Sequence, residues 1–302
     1  MSLVRVATCA YEVGFVNSWQ QWQQKVTGRI EEAVQQQANV LLLPEYFSME
    51  LASLFDESVY QSLSQQLVEL QTLHDDFVQL FQSLAQQHQV VICAGTFPVL
   101  VESEAGSRYV NRSYLLLPDG SVEYQDKLQM TRFENEQWGI ASGDELKVFD
   151  TPFGKLGINI CYDSEFPLFA RQQVEQGADL ILVPSCTDTL AGYHRVQLGC
   201  RARALENQCF VVQSPTVGLA EWSPAIDENT GAAGVFAPVD YGFPDDGIVA
   251  QGEVFQGKVA QEQVDRGWVY ADLDLAELAR VRTEGQVFNY RDWDKQLGFV
   301  KV

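Results

Sequence analysis

Lys155-Leu156-Gly157-Ile158-Asn159-Ile160-Cys161-Tyr162-Asp163-Ser164-Glu165-Phe166-Pro167 reads as a buried strand running into a turn and then a helix. The first half is apolar and β-compatible. Phe166-Pro167 opens the helix, because proline is accepted in a first helical turn. Between the two, Cys161 is delivered to a sharp strand-to-helix turn at a sheet edge. The positive end of the following helix lies beside it, so thiolate, the nucleophilic form, is expected to be favoured there.

Two other strand ends carry reactive groups. Val40-Leu41-Leu42-Leu43-Pro44-Glu45 ends an apolar strand on a glutamate, and Val122-Glu123-Tyr124-Gln125-Asp126-Lys127 ends another on a lysine. In all, strands are predicted at 3–9, 39–43, 90–95, 112–117, 121–126, 155–161, 179–183, 208–213, 233–237 and 268–273. Helical patterns fall at 17–37, 57–72, 74–88, 165–176, 193–206 and 274–281. The helix at 17–37 sets Trp19, Trp22, Val26, Ile30 and Val34 at helical spacing. This alternation indicates layered α/β packing. No Gly-, Ser- or Pro-rich linker divides the chain, so residues 1–283 read as one domain. An aromatic tail, 284–302, follows with Phe288, Tyr290, Trp293 and Phe299, and is expected to dock on a partner subunit.

Composition narrows the function classes. The chain has 302 residues, 46% hydrophobic and 20% charged, in the ordinary range for a globular protein. A formal net charge of -21 argues against nucleic acid or an anionic membrane as partner. No apolar run approaches the roughly 18 residues needed to span a bilayer. The alternating N-terminus lacks a signal-peptide core, so a cytoplasmic location is expected. Six scattered cysteines without a Cys-x-x-Cys pair read as free thiols. His74, His88 and His194 show no metal-ligand spacing, so no metal or cofactor is expected.

A free cysteine is more often a small buried hydrophobe than a nucleophile. Cys161 differs by its setting, and a nucleophilic thiol needs a base. His194, at the start of the 193–206 helix, is the histidine candidate. Scarce histidine favours a carboxylate instead. Glu45, half-enclosed by Pro44, Tyr46 and Phe47, should have a raised pKa suited to proton shuttling. Lys127 could stabilise an oxyanion in a water-poor pocket, although most lysines are simply surface residues.

Taken in order, apolar-strand-Pro-Glu45, Tyr124-x-x-Lys127 and Gly157-x-x-Ile160-Cys161-Tyr162-Asp163-x-x-Phe166-Pro167 resemble the nitrilase superfamily of carbon–nitrogen hydrolases. Val183-Pro184-Ser185 and Arg201-Ala202-Arg203-Ala204-Leu205-Glu206-Asn207 extend the resemblance. It implies an α/β fold, specifically a four-layer α-β-β-α sandwich, and a Glu45, Lys127 and Cys161 triad. By the same resemblance a second glutamate orients the lysine. Phe133-Glu134-Asn135-Glu136-Gln137-Trp138 holds two candidates, and counting back from Ser142-Gly143-Asp144 selects Glu136.

The implied activity is hydrolysis of a non-peptide C–N bond in a small linear amide, through a Cys161 thioester. An N-carbamoyl-amine hydrolase, or an acyl- or amidotransferase using the same thioester, remains the alternative, and a catalytically silent scaffold is a further one. Tyr162-Asp163 resembles the amidase and carbamoylase branches and speaks against a nitrile substrate. Glu165 stands where many relatives have arginine, which removes a substrate-carboxylate clamp. Tyr162, Trp138, Glu165 and Asp188 are the expected substrate contacts. So much negative charge could prefer neutral or cationic amides. The resemblance also implies a homodimer, with helices near 165–176 and 193–206 in its interface.

Overall fold

Alternate residues of Val40–Leu43 face two different cores, and this two-sided burial generates the layers. Val40 and Leu42 join Val4, Val6, Leu115, Leu156, Ile158, Val183 and Val211 in one cluster. Leu41 and Leu43 join Trp22, Val26, Ile30, Phe77 and Phe81 in another. The computed structural model describes residues 3–102, 106–259 and 267–299.

Among the described residues the first sheet has seven strands. Its main path runs Trp268–Asp274, Leu3–Cys9, Val40–Leu43, Val91–Val101, Arg108–Leu116 and Val122–Asp126. The second sheet, of eight described strands, follows Ile248–Gln251, Gly234–Phe236, Phe210–Leu219, Leu180–Ser185, Gly154–Ile158 and Val148–Thr151. Along each main path three central strands are parallel and the flanking ones antiparallel. The two sheets pack face to face. Helices Trp19–Gln35 and His74–His88 cover the first. Pro167–Glu175 and Leu190–Asn207 cover the second. The result is a four-layer α-β-β-α sandwich.

Several boundaries have local causes. The first long helix begins at Trp19 because the Ser18 side chain accepts from the Gln21 N–H at 3.1 Å. The helix expected at 57–72 is broken into Glu57–Tyr60 and Leu63–Leu70, since Ser62 caps the second piece. The helix expected from 165 begins at Pro167, because the residue before a proline avoids helical ψ: Phe166 sits at φ -102°, ψ 110°. A tight turn, Cys161–Glu165, fills the gap.

Within the chain itself the tail is packed as far as Trp293. Arg171 donates to the Tyr290 carbonyl at 3.0 Å and lies over the Tyr290 and Trp293 rings. Gln208 donates to the Val287 carbonyl and accepts from the Tyr290 N–H. Phe299 is left exposed.

Phe77 is the hub of the outer helical layer, with ring centroids 4.9 Å from Phe81 and Phe97 and 5.8 Å from Trp22 and Phe47. Phe77→Ala is expected to lower the unfolding free energy by about 3–5 kcal/mol. Urea titration followed by circular dichroism checks this.

Candidate active site

Glu45, Lys127 and Cys161 leave three different strands and meet in one cavity of about 470 Å³. Glu45 follows Val40–Leu43 and Lys127 follows Val122–Asp126, both in the first sheet. Cys161 follows Gly154–Ile158 in the second. The site therefore lies at carboxyl ends of strands from both sheets, where an open α/β layer leaves a crevice.

Each turn is built under constraint. Tyr46, next to Glu45, takes φ +56°, and Cys161 takes φ +48°. Non-glycine residues in this left-handed region cost about 1–3 kcal/mol and persist where their surroundings over-determine them. The Tyr46 N–H donates to Thr96 Oγ1 at 2.8 Å, and Ser48 Oγ donates to the Thr96 carbonyl at 2.7 Å. Gly95, at φ +54°, lets the neighbouring strand approach: a Cβ there would sit 2.0 Å from the Pro44 carbonyl oxygen. Lys127 is pinned by its N–H to the Asn111 carbonyl, and the Gly143 N–H donates to the Lys127 carbonyl at 2.7 Å.

The charges at the centre are buried. Lys127, Glu45 and Glu134 are 1–2% exposed. Lys127 Nζ donates to Glu45 Oε1 at 2.8 Å and to Glu134 Oε1 and Oε2 at 2.8 and 2.7 Å. Glu134 also accepts from the Tyr46 hydroxyl and from the N–H and hydroxyl of Thr131. Glu45 takes a second bond from Asn111 Nδ2, and its charge reaches the Cys161 thiol in the same cavity.

These partners split the two carboxylates. Burial alone would raise both, but the Lys127 ammonium and the Thr131 and Tyr46 donors hold Glu134 below its ordinary value. Glu45 has fewer donors and feels the Glu134 charge, so burial pushes it up to about 7. Lys127 lies well above its usual value, because its two carboxylates outweigh burial. The Cys161 thiol is pushed well up by burial and then by Glu45. This corrects the expectation of a resting thiolate: only a short turn follows Cys161, and the site holds a protonated thiol against a carboxylate.

Glu136 is not at the site. It is exposed and pairs with Arg132 at 2.7 Å. The single wide helical turn Glu134–Trp138 puts residues four apart on one face, so Glu134 and the buried Trp138 point inward together and Glu136 points to solvent. That spacing from Trp138 was the available signal for Glu134. His194 is exposed, with its ring against Tyr193, and does not line the cavity. Tyr162, Trp138, Glu165 and Asp188 do line it. Glu165 faces Arg195 at 3.5 Å, and Trp138 packs on Tyr46.

Asn111, Thr131 and Cys186 belong to the same neighbourhood and carry no signal in the sequence reading, which uses Tyr46 only as a neighbour of Glu45 and Asp163 only as a branch marker. The Cys186 carbonyl lies 3.6 Å from the Cys161 sulfur. Among the described residues no group of three His, Cys, Asp or Glu side chains could hold a metal ion.

The profile of the family described as Carbon-nitrogen hydrolase matches residues 5–283. A probable hydrolase, YhcX, of Bacillus subtilis (strain 168) is 35% identical over 289 residues, covering 96% of this chain and 53% of that protein. The chain thus spans about half of that relative's length. Omega-amidase NIT2 of Bos taurus is 26% identical over 283 residues, covering 89% of each. Among solved structures, a carbon-nitrogen hydrolase from Helicobacter pylori G27 superposes with a TM-score of 0.75 at 18% identity, covering 100% of this chain and 99% of that one. A variant of the amidase from Nesterenkonia sp. AN1, whose active-site cysteine carries a covalent acetamide moiety, gives a TM-score of 0.69 at 18% identity over 98% of this chain and 95% of that one.

The two glutamates are separable by substitution. Glu134→Gln leaves the buried Lys127 with one carboxylate, and turnover is expected to fall on the order of 100-fold or more. Glu136→Gln is expected to stay within about twofold of the parent, as befits an exposed ion pair. Steady-state amide hydrolysis by the two purified variants decides between them.

Proposed function

The chain belongs to the carbon–nitrogen hydrolase family, and we propose that it hydrolyses a non-peptide C–N bond of a small linear amide through a thioester on Cys161. The observation that carries this reading is the cavity that brings Cys161 together with the Glu45 carboxylate and the Lys127 ammonium bonded to it. The names of the relatives, omega-amidase and amidase, support an amide as substrate.

The steps follow from the charges. Glu45 takes the thiol proton as the sulfur attacks the carbonyl carbon. Lys127 and the Tyr162 backbone N–H hold the developing oxyanion. Collapse of the intermediate breaks the C–N bond, and protonated Glu45 returns its proton to the departing ammonia or amine. Water then attacks the thioester with Glu45 again as base, and the acid leaves as the thiol is restored. Glu134 stays ionised throughout and keeps Lys127 charged and in place.

The charge at the cavity mouth bears on substrate class. Arg132 and Arg195 already face Glu136 and Glu165. Asp188, Asp227 and Glu228 line the cavity with no ion pair among the described residues. Neutral or cationic amides fit this field better than anionic ones. Exposed Leu168 and Leu198, on the helices covering the second sheet, support a homodimer through that face.

Cys161→Ala is expected to abolish ammonia release and leave the fold intact. Intact-mass analysis should find an acyl adduct on the parent protein during turnover and none on this variant; an adduct that persisted would remove Cys161 as nucleophile. Glu45 works as a base only when ionised, so kcat/KM should rise as pH climbs through about 7 and be lost as it falls below. Glu45→Gln should show negligible activity between about pH 6 and 9, and a parental rate at any pH in that range would exclude Glu45 as base. A rate screen over alkyl amides, aminoalkyl amides, N-carbamoyl amines and dicarboxylate ω-amides tests the field. A fastest rate with the anionic ω-amide sinks the charge argument.

A further inference from the structure

Asp163 is a buried carboxylate, 2% exposed, that the reaction above does not use. It has no ion-pair partner among the described residues and accepts only backbone N–H groups. Oδ1 accepts from Gln129 at 2.7 Å and from Leu128 at 3.2 Å. Oδ2 accepts from Ile160 at 3.2 Å and from Leu128 at 3.3 Å. Leu128 and Gln129 directly follow Lys127, at the end of a first-sheet strand. Ile160 directly precedes Cys161, past the end of a second-sheet strand. One carboxylate therefore joins the two segments that carry the ammonium and the sulfur.

We propose that Asp163 is a positioning residue that clamps the Lys127 segment of one sheet to the Cys161 turn of the other, and so sets the ammonium–sulfur separation for the amide hydrolysis proposed above, on which this rests. The same side chain braces the turn itself. Its bond from Ile160, with the Asp163 N–H donating to the Ile160 carbonyl at 3.0 Å, spans Cys161 and holds it at φ +48°. Ser164 adds a bond to the Cys161 carbonyl at 2.6 Å. Backbone donors suit this role because they belong to the segments being fixed and have no rotamer freedom. A misplacement of about 1 Å between reacting groups is enough to lose on the order of 100-fold in rate.

The discriminating variant is Asp163→Asn, which keeps shape but turns one acceptor into a donor facing N–H groups. Its kcat is expected to fall at least about tenfold with KM changed by less than about threefold. Alkylation of Cys161 by iodoacetamide, which needs no substrate, should change its second-order rate by at least about tenfold. Parental kcat and parental alkylation with only a lowered melting temperature would make Asp163 a mere stabiliser and overturn the proposal. Asp163→Glu, which keeps the carboxyl group but lengthens the arm, should show the same kcat loss, and a parental rate counts against the clamp. Hydrogen exchange on the unmodified protein judges the clamp without any variant. The Leu128, Gln129 and Ile160 amides should be protected together, and free exchange at Gln129 refutes it. If neither the parent nor any variant releases ammonia from amides, the proposed activity fails, while alkylation and exchange still judge Asp163.

Discussion

A single ammonium held between two carboxylates, all three nearly shut off from solvent, governs this molecule. Lys127 cannot stand alone at 1% exposure, since an unpaired buried charge is strongly destabilising. Two carboxylates for one cation leave an excess negative charge that must be managed. The protein does so by unequal hydrogen bonding. Glu134 receives the Lys127, Thr131 and Tyr46 donors and keeps its charge. Glu45 is left with a proton affinity near neutrality. Different proton affinities thus emerge from a count of donors, a pattern expected wherever two like groups have different environments.

The same cluster explains why the sandwich needs two sheets at this end. Glu45 and Lys127 come from one sheet and Cys161 from the other, so no single layer contains the reactive set. The strained turns at Tyr46 and Cys161 aim their side chains into the crevice. Their strain is tolerable because Thr96, Gly95 and Asp163 fix the backbone around them. The apolar interior between the sheets, from Val40 and Leu42 to Ile158 and Val183, supplies a rigid seat.

At the site, the residues that sequence order misplaces are decided in three dimensions. Counting along the chain selects Glu136, whereas the wide turn decides that Glu134 faces inward. The resting thiolate at Cys161 was argued from a helix start. Burial beside a carboxylate outweighs it, because desolvation and a like charge both disfavour ionisation. The 57–72 helix was legible as helical but not its break at Ser62, a capping effect that apolar periodicity does not show. The tail reads as apolar, and its intrachain contacts with Arg171 and Gln208 join residues 79 or more positions apart, with no local signature.

The order of strand ends carrying Glu45, Lys127 and Cys161, the alternation of elements and the layered class were all determined by sequence alone. Each is a local property: apolar runs select strands, and turn residues punctuate them. Tertiary structure alone decided which carboxylate has the raised proton affinity, which glutamate meets the lysine, and that Asp163 bridges the two sheets. Those outcomes depend on burial and on donors contributed by distant segments, and neither quantity exists until the layers have packed.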